Sequence, residues 1–334
     1  MLQWPAYWHS ASDPIARLLL PVAWGYGRMV HLRRMLYQRR WLHSYQSPAP
    51  VFVVGNLTVG GAGKTPFVIW LVTMLQHFGL RVVIVSRGYG GRTKGAAALV
   101  TAQSDPYLVG DEAVLLARRT GCRVYVDAQR ARAVMRALAE CSFDVVVADD
   151  GLQHYALARN LEFALIDGER RFGNGYLLPA GPLRESPDRL KSVDFVVTKG
   201  DPRPCEVPMT LRPIAIRGVD DRNRKSEWEA WRDTPVHAVA GIGNPSSFFS
   251  LLRAQGLGVI EHPFADHHQY TDRDVSFADD YPVFMTEKDS VKCSYLQGSR
   301  KSWYVEVEAQ LPDSLVDSIA VRLRDMGLNI LHLP

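Results

Sequence analysis

The chain has 334 residues, of which 47% are hydrophobic and 22% charged, and carries a formal net charge of +4. That length exceeds one comfortable hydrophobic core and predicts two domains, while the composition excludes intrinsic disorder. The charge is too small for this size to indicate nucleic acid as a partner. Cys122, Cys141, Cys205 and Cys293 stand too far apart for a zinc site or a disulfide framework, which suits a reducing cytosol.

Residues 1–45 differ from the rest. Ile15 to Val30 is mostly apolar, but Arg17, Pro21, Gly25, Gly27 and Arg28 interrupt it, making a poor membrane span and a poor signal peptide. Arg17, Arg28, Arg33, Arg34, Arg39 and Arg40 face a single acid, Asp13, and mix with Trp24, Tyr26, Tyr37, Trp41 and Tyr45. Arginine interleaved with apolar and aromatic residues predicts a helix lying on an anionic membrane surface. The plainer alternative is a helix packed on its own domain.

Val51-Phe-Val-Val reads as a buried strand running into Gly55, followed by the glycine-rich turn Thr58-Val-Gly-Gly-Ala-Gly-Lys-Thr65 and an apolar helical run from Pro66 to Phe78. Strand, glycine loop, Lys-Thr and helix are the context of a phosphate-binding P-loop. Gly60, Gly61 and Gly63 let backbone N–H groups turn toward phosphate oxygens, Lys64 reaches the β/γ-phosphates, and Thr65 ligates Mg²⁺. Thr58 and Val59 depart from the usual opening glycine, and Ala62 completes the loop.

Arg81 to Ser86 is a second buried strand, ending in the loop Arg87-Gly-Tyr-Gly-Gly-Arg92. Ligands of open α/β sheets bind at that edge, so Arg87 either meets a phosphate or sits on a surface turn. Gly110 to Ala117 reads as a helix start with Asp111 as its N-cap. A strand at 123–127 and a helix at 128–140 precede Phe143-Asp-Val-Val-Val-Ala-Asp-Asp150, an apolar strand ending in two aspartates. Downstream of a P-loop, that form predicts a Mg²⁺-holding element, with Asp149 and Asp150 as its carboxylates.

A strand at 161–167 leads into the Gly/Pro-rich loop 173–185, expected to be functional. The strand 193–201 ends in Thr198-Lys-Gly-Asp201, similar to the guanine-reading signature of GTPases. Four prolines between Pro202 and Pro213 predict a domain boundary. Beyond it lie a strand–loop–helix unit around Gly241-Ile-Gly-Asn-Pro245, a cluster of His262, His267 and His268 with Glu261 and Asp266, a strand Val283 to Asp289 with a charged tip, an exposed-face strand 303–308 and a last helix 312–326. The histidine cluster could ligate a transition metal or serve in proton transfer.

Together these residues resemble one family, the tetraacyldisaccharide 4′-kinases. The resemblance covers nearly the whole chain and rests on Gly55 to Pro66, Ser86 to Gly91, Val109 to Glu112, Asp149 to His154, Leu178 to Glu185, Gly241 to Pro245, Phe264 to His268 and Thr286 to Asp289. It implies transfer of the γ-phosphate of ATP, with Mg²⁺, to the 4′-hydroxyl of an acylated glucosamine disaccharide 1-phosphate, giving lipid IVA in lipid A biosynthesis. It also implies that Asp111 is the general base, paired with His267 or the adjacent His268, and that the variant loop at Thr58 and Val59 belongs to the pattern. Lys64 and Asp150 join Asp111 and His267 as the expected catalytic set.

The predicted architecture is α/β. A membrane-surface helical segment (1–45) precedes a P-loop kinase core with a mostly parallel sheet (46–205) and a smaller α/β domain (206–334). The expected location is the cytoplasmic face of the bacterial inner membrane, with the lipid substrate as partner and no nucleic acid or protein partner implied. Two rival readings are a GTPase switch or metallochaperone, favoured by Thr198 to Asp201 and the histidines, and a membrane scaffold with a degenerate nucleotide site.

Overall fold

The structure, a computed structural model, describes residues 4–92 and 95–331. The N-terminal segment forms a short helix α1 (Pro14–Leu18), capped by the Asp13 carboxylate, and a long helix α2 (Leu20–Gln38). No helix among the described residues is long and apolar enough to cross a membrane. Trp4 and Trp8 are buried: the Trp4 indole donates to Val59 O at 2.9 Å and that of Trp8 to Pro179 O at 3.0 Å. The segment is thus moored beside the P-loop, while Leu18, Val22, Trp24, Met29 and Leu32 remain exposed. One side of the segment is thus packed on the protein, as the plainer sequence reading expects, and the other is bare.

The first lobe alternates strand and helix: β1 (Val51–Asn56), α3 (Lys64–His77), β2 (Val82–Ser86), β3 (Ala98–Val100), α4 (Pro106–Val109), α5 (Asp111–Thr120), β4 (Arg123–Val126), α6 (Arg130–Glu140), β5 (Val145–Ala148), β6 (Leu161–Asp167) and β7 (Phe195–Lys199). Residues of β1, β2, β5 and β6 are buried throughout, as the apolar runs of a parallel sheet covered by helices on both faces must be. The order β7-β6-β1-β5-β2-β4 is parallel, with β3 added antiparallel at the edge. The order places the β1 and β5 tips side by side, so the P-loop and the paired aspartates emerge at one edge of the sheet.

The second lobe contains β8 (Val207–Gly218), β9 (Lys225–Ser226), β10 (Pro235–Ala240), α7 (Pro245–Ala254), β11 (Gly258–Pro263), β12 (Val283–Thr286), α8 (Glu287–Cys293), β13 (Ser302–Gln310) and α9 (Asp313–Asp325). Its strands run β11-β10-β12-β13 in parallel, and β13 pairs antiparallel with β8. The start of β8 pairs parallel with β7, so hydrogen bonds carry one thirteen-stranded sheet across the proline-rich stretch. The core crosses it as well: Leu315, Ile319 and Leu323 of α9 belong to the same apolar cluster as Leu71 and Leu75 of α3.

Two local expectations differ from the structure. The charged tip Glu287-Lys288-Asp289 is the first turn of α8, with the Thr286 hydroxyl accepting from Asp289 N. The segment 303–308 is no exposed-face strand, because β13 lies between β12 and β8 and buries Tyr304, Val305 and Glu306. The alternation of charged residues that signalled exposure is met instead by the Arg217–Glu306 ion pair at 2.7 Å.

Candidate active site

The P-loop takes its shape from its glycines. Gly60 (φ 101°) and Gly63 (φ 81°) occupy the left-handed region, where any side chain would be strained, and Gly63 caps α3 so that Lys64 opens the helix. Val59 N donates to Pro182 O at 2.9 Å and Thr58 bridges Leu183, so the 178–185 loop runs along the P-loop. Ala62 is buried in the core, whereas Gly61 is exposed and Thr65 lies half-buried on the first turn of α3. Gly243, from the Gly241 to Pro245 loop, rests against the Gly61 backbone, and Arg170 holds that loop by donating to Gly243 O at 3.0 Å.

Lys64 Nζ donates to Asn56 Oδ1 at 3.1 Å and lies 3.6 Å from Asp150. Asp150, at φ 46°, also receives both terminal nitrogens of Arg184, which reaches the Asn56 carbonyl at 3.1 Å as well. Burial would raise the Asp150 pKa, but Lys64 and Arg184 outweigh it and hold the carboxyl well below its ordinary value. Asp149 has the opposite fate. Buried, and among the described residues accepting a side-chain hydrogen bond only from the Ser86 hydroxyl at 3.1 Å, it is pushed up to about 7 by desolvation and by the neighbouring Glu112 and Asp150 carboxylates.

The crowded, desolvated Asp149 carboxylate beside the Ser86 hydroxyl offers the hard oxygen donors that Mg²⁺ takes. No group of three or more His, Cys, Asp or Glu side chains among the described residues could hold a metal ion as a closed cage. Mg²⁺ in kinases needs no such cage, being held by one or two carboxylates, substrate phosphates and water.

The second cluster is built on α5. Gly110 (φ 96°) caps this helix; a Cβ there would stand 2.7 Å from Tyr89 O, so only glycine lets the two loops meet. Asp111 is therefore not the cap. It is the first helical residue, buried, and its carboxylate points at α8 and the 264–268 loop. His267, itself at φ 60°, places Nδ1 at 3.1 Å from both Asp111 oxygens. Lys292 Nζ lies 3.4 Å from Asp111 and 3.1 Å from Asp289. Burial alone would raise the Asp111 pKa, yet Lys288, the His267 hydrogen bond and Lys292 together hold it well below the usual carboxylate range.

The three clustered histidines diverge. His262 turns to His237 at 2.9 Å, His268 to Asp274 at 3.3 Å, and His267 faces Asp111, so they form no common metal site. Of the two histidines open as the partner of Asp111, the geometry brings His267. Arg87 is exposed at the tip of β2, beyond Ser86, on the same edge. In the GTPase-like tail, Thr198 donates to Glu206 at 2.7 Å and Lys199 pairs with Asp167 at 2.8 Å, so both side chains are engaged within the protein.

Sequence reasoning gave no role to Asn56, Arg184, Glu112, Lys288 or Lys292. Asn56, Glu112 and Arg184 each stand inside a motif block read for its neighbours. Lys288 was hidden because the first turn of α8 read as the charged tip of a strand ending at Asp289, and Lys292 lay beyond it in no predicted element; the Thr286-x-x-Asp289 capping spacing was the available signal.

A P-loop at a sheet edge, paired aspartates on the adjacent strand and a buried carboxylate–histidine pair define a P-loop phosphotransferase. Residues 15–324 match the profile of the Tetraacyldisaccharide-1-P 4'-kinase family. The chain belongs to that family and is a kinase. It is 50% identical over 308 residues to the tetraacyldisaccharide 4'-kinase of Halorhodospira halophila, covering 92% of both chains. The enzyme of that name from Nitrosococcus oceani is 47% identical over 309 residues, covering 92% of this chain and 90% of that one. Among solved structures, apo-form LpxK from Aquifex aeolicus in complex with ATP matches with a TM-score of 0.77 at 27% identity, covering 92% of this chain and 99% of that chain.

Proposed function

We propose that this kinase transfers the γ-phosphate of ATP to the 4′-hydroxyl of tetraacyldisaccharide 1-phosphate, giving lipid IVA in lipid A biosynthesis, at the cytoplasmic face of the inner membrane. The observation that carries the residue assignment is the buried Asp111 carboxylate, kept anionic and oriented by His267, beside a Glu112 that presses on Asp149. A neutral sugar hydroxyl is a poor nucleophile, and a positioned carboxylate takes its proton as phosphoryl transfer proceeds.

In this reading the Gly60 to Gly63 backbone cradles the phosphates and Lys64 neutralises their charge, with Asp150 and Asn56 aiming its ammonium. Asp149, Asp150 and Thr65 would hold Mg²⁺, which would screen the charge on the transferring group. Arg87 steadies phosphate charge from the β2 tip. Segment 206–334 closes the site over the core 46–205 through the Gly243 and His267 loops, and 1–45 lies on the anionic membrane surface through its exposed apolar face.

The test is direct transfer. Detergent-solubilised protein is mixed with Mg²⁺, γ-labelled ATP and tetraacyldisaccharide 1-phosphate, and label is expected in a bis-phosphorylated lipid. Label released only as inorganic phosphate, with or without lipid, would sink the proposal.

A further inference from the structure

The α5–α8 contact carries more charge than the Asp111–His267 pair requires. Lys288 and Lys292 lie four residues apart on α8 and face α5 together. Lys292 touches Asp111 directly. Lys288 instead touches the residue next to each partner: its Nζ is 2.9 Å from Glu112 and 3.1 Å from Asp266, and it approaches His267 Nε2 at 3.4 Å. Glu112 comes from the first lobe, whereas Asp266 and His267 come from the second.

We infer that Lys288 is a positioning residue for phosphoryl transfer: its ammonium ties α5 to the 264–268 loop and, by donating to His267 Nε2, leaves the proton of that ring on Nδ1, facing Asp111. An ammonium has donors only, so the ring nitrogen facing it must accept, and the other must donate to the carboxylate. Lys288 itself is stabilised as a cation: burial works against the charge, but Glu112, Asp111 and Asp266 outweigh it and raise its pKa. The charged and titratable groups around Asp111 are Glu112 on its own helix, Lys288 and Lys292 on α8, His267 in the loop and Tyr107 on α4. Among them, Lys288 is the largest influence favouring the anion.

The inference rests on the reading of Asp111 as the base, and the experiment separates the two. Both kcat and KM are measured for wild type, Lys288→Met, Lys288→Arg and Asp111→Asn, with thermal melts to establish folding. Lys288→Met is expected to lower kcat about tenfold or more while KM for ATP and lipid changes little. Lys288→Arg, which can still span Glu112 and Asp266, is expected to restore kcat. A folded Lys288→Met enzyme with an unchanged kcat overturns the inference if Asp111→Asn is inactive. An Asp111→Asn enzyme as active as wild type removes the base reading and the inference with it. Should Lys288→Met not fold, the ¹⁵N imidazole spectrum of wild-type His267, assigned by loss in His267→Gln, decides: an unprotonated Nε2 supports Lys288 as its donor, and a proton on Nε2 overturns it.

Discussion

Arg184 donates from both terminal nitrogens to the two carboxylate oxygens of Asp150, at 3.1 and 3.0 Å. The same guanidinium holds the Asn56 carbonyl and side chain, so one residue of the 178–185 loop ties the β1 and β5 tips together. Lysine cannot copy this planar fork. Arg184→Ala and Arg184→Lys should both lower stability by about 1–2 kcal/mol in urea melts and slow transfer at least about tenfold. A Lys variant indistinguishable from wild type would contradict the bidentate role.

Lys64 is a second point of test. Its ammonium sits 3.1 Å from Asn56 and 3.6 Å from Asp150, poised at the mouth of the P-loop. Loss of one fixed charge on the transferring phosphates typically costs about 10²–10³-fold in rate. Lys64→Ala should therefore abolish most label transfer to lipid while circular dichroism stays unchanged. The scaffold reading predicts no effect.

The shifted carboxyls give a signed pH dependence. Asp149 and Glu287 are pushed up to about 7 from ordinary values of 3.8 and 4.5, burial being the largest cause for each. Between those values the native state binds more protons than the unfolded chain, so stability contributed by these groups falls as pH rises toward about 7. Asp111 and Asp150 run the other way. Their depressed values stabilise the native state above the ordinary carboxylate range, and that contribution is lost as pH falls toward their folded values.

Chemical denaturation of the nucleotide-free protein should thus show highest stability at mildly acidic pH. Asp149→Asn should gain about 1–3 kcal/mol above neutrality, and Mg²⁺ should stabilise wild type there but not the variant. No gain for Asp149→Asn at alkaline pH would refute the crowding of its carboxylate.

The N-terminal helices offer a separate experiment. Leu18 is 79% and Trp24 65% exposed, on a segment whose other side is moored by Trp4 and Trp8. Burying side chains of this kind in a bilayer is worth about 1.5–3 kcal/mol each. Leu18→Glu with Trp24→Glu should weaken binding to anionic vesicles at least about tenfold at unchanged melting temperature. Equal binding by the double variant would remove this face from membrane contact.

Much of the fold was legible because its signals are local. Four consecutive apolar residues before Gly55 specify a buried strand, and Gly60, Gly63 and Lys64 specify the turn and helix that follow, all within one short stretch. The apolar run ending at Asp149 declared both a strand and a carboxylate tip by the same local grammar. The α8 segment was misread because the apolar strand Val283–Thr286 runs without a break into a charged helical turn, so Thr286 reads as strand end or helix cap equally well.

What the sequence by itself determined, then, were the P-loop, the core strands and the existence of the aspartate pair, because each is set by neighbours along the chain. Tertiary structure decided what each carboxylate meets. Asp149 and Asp150 are adjacent, yet one is crowded by Glu112 and the other neutralised by Arg184 and Lys64, because their side chains meet different elements. His267 reaches Asp111 across 156 positions, while its neighbour His268 turns to Asp274. Charge pairing depends on distances of a few ångströms between remote elements, and only the packing of α5 against α8 and the 264–268 loop sets those distances.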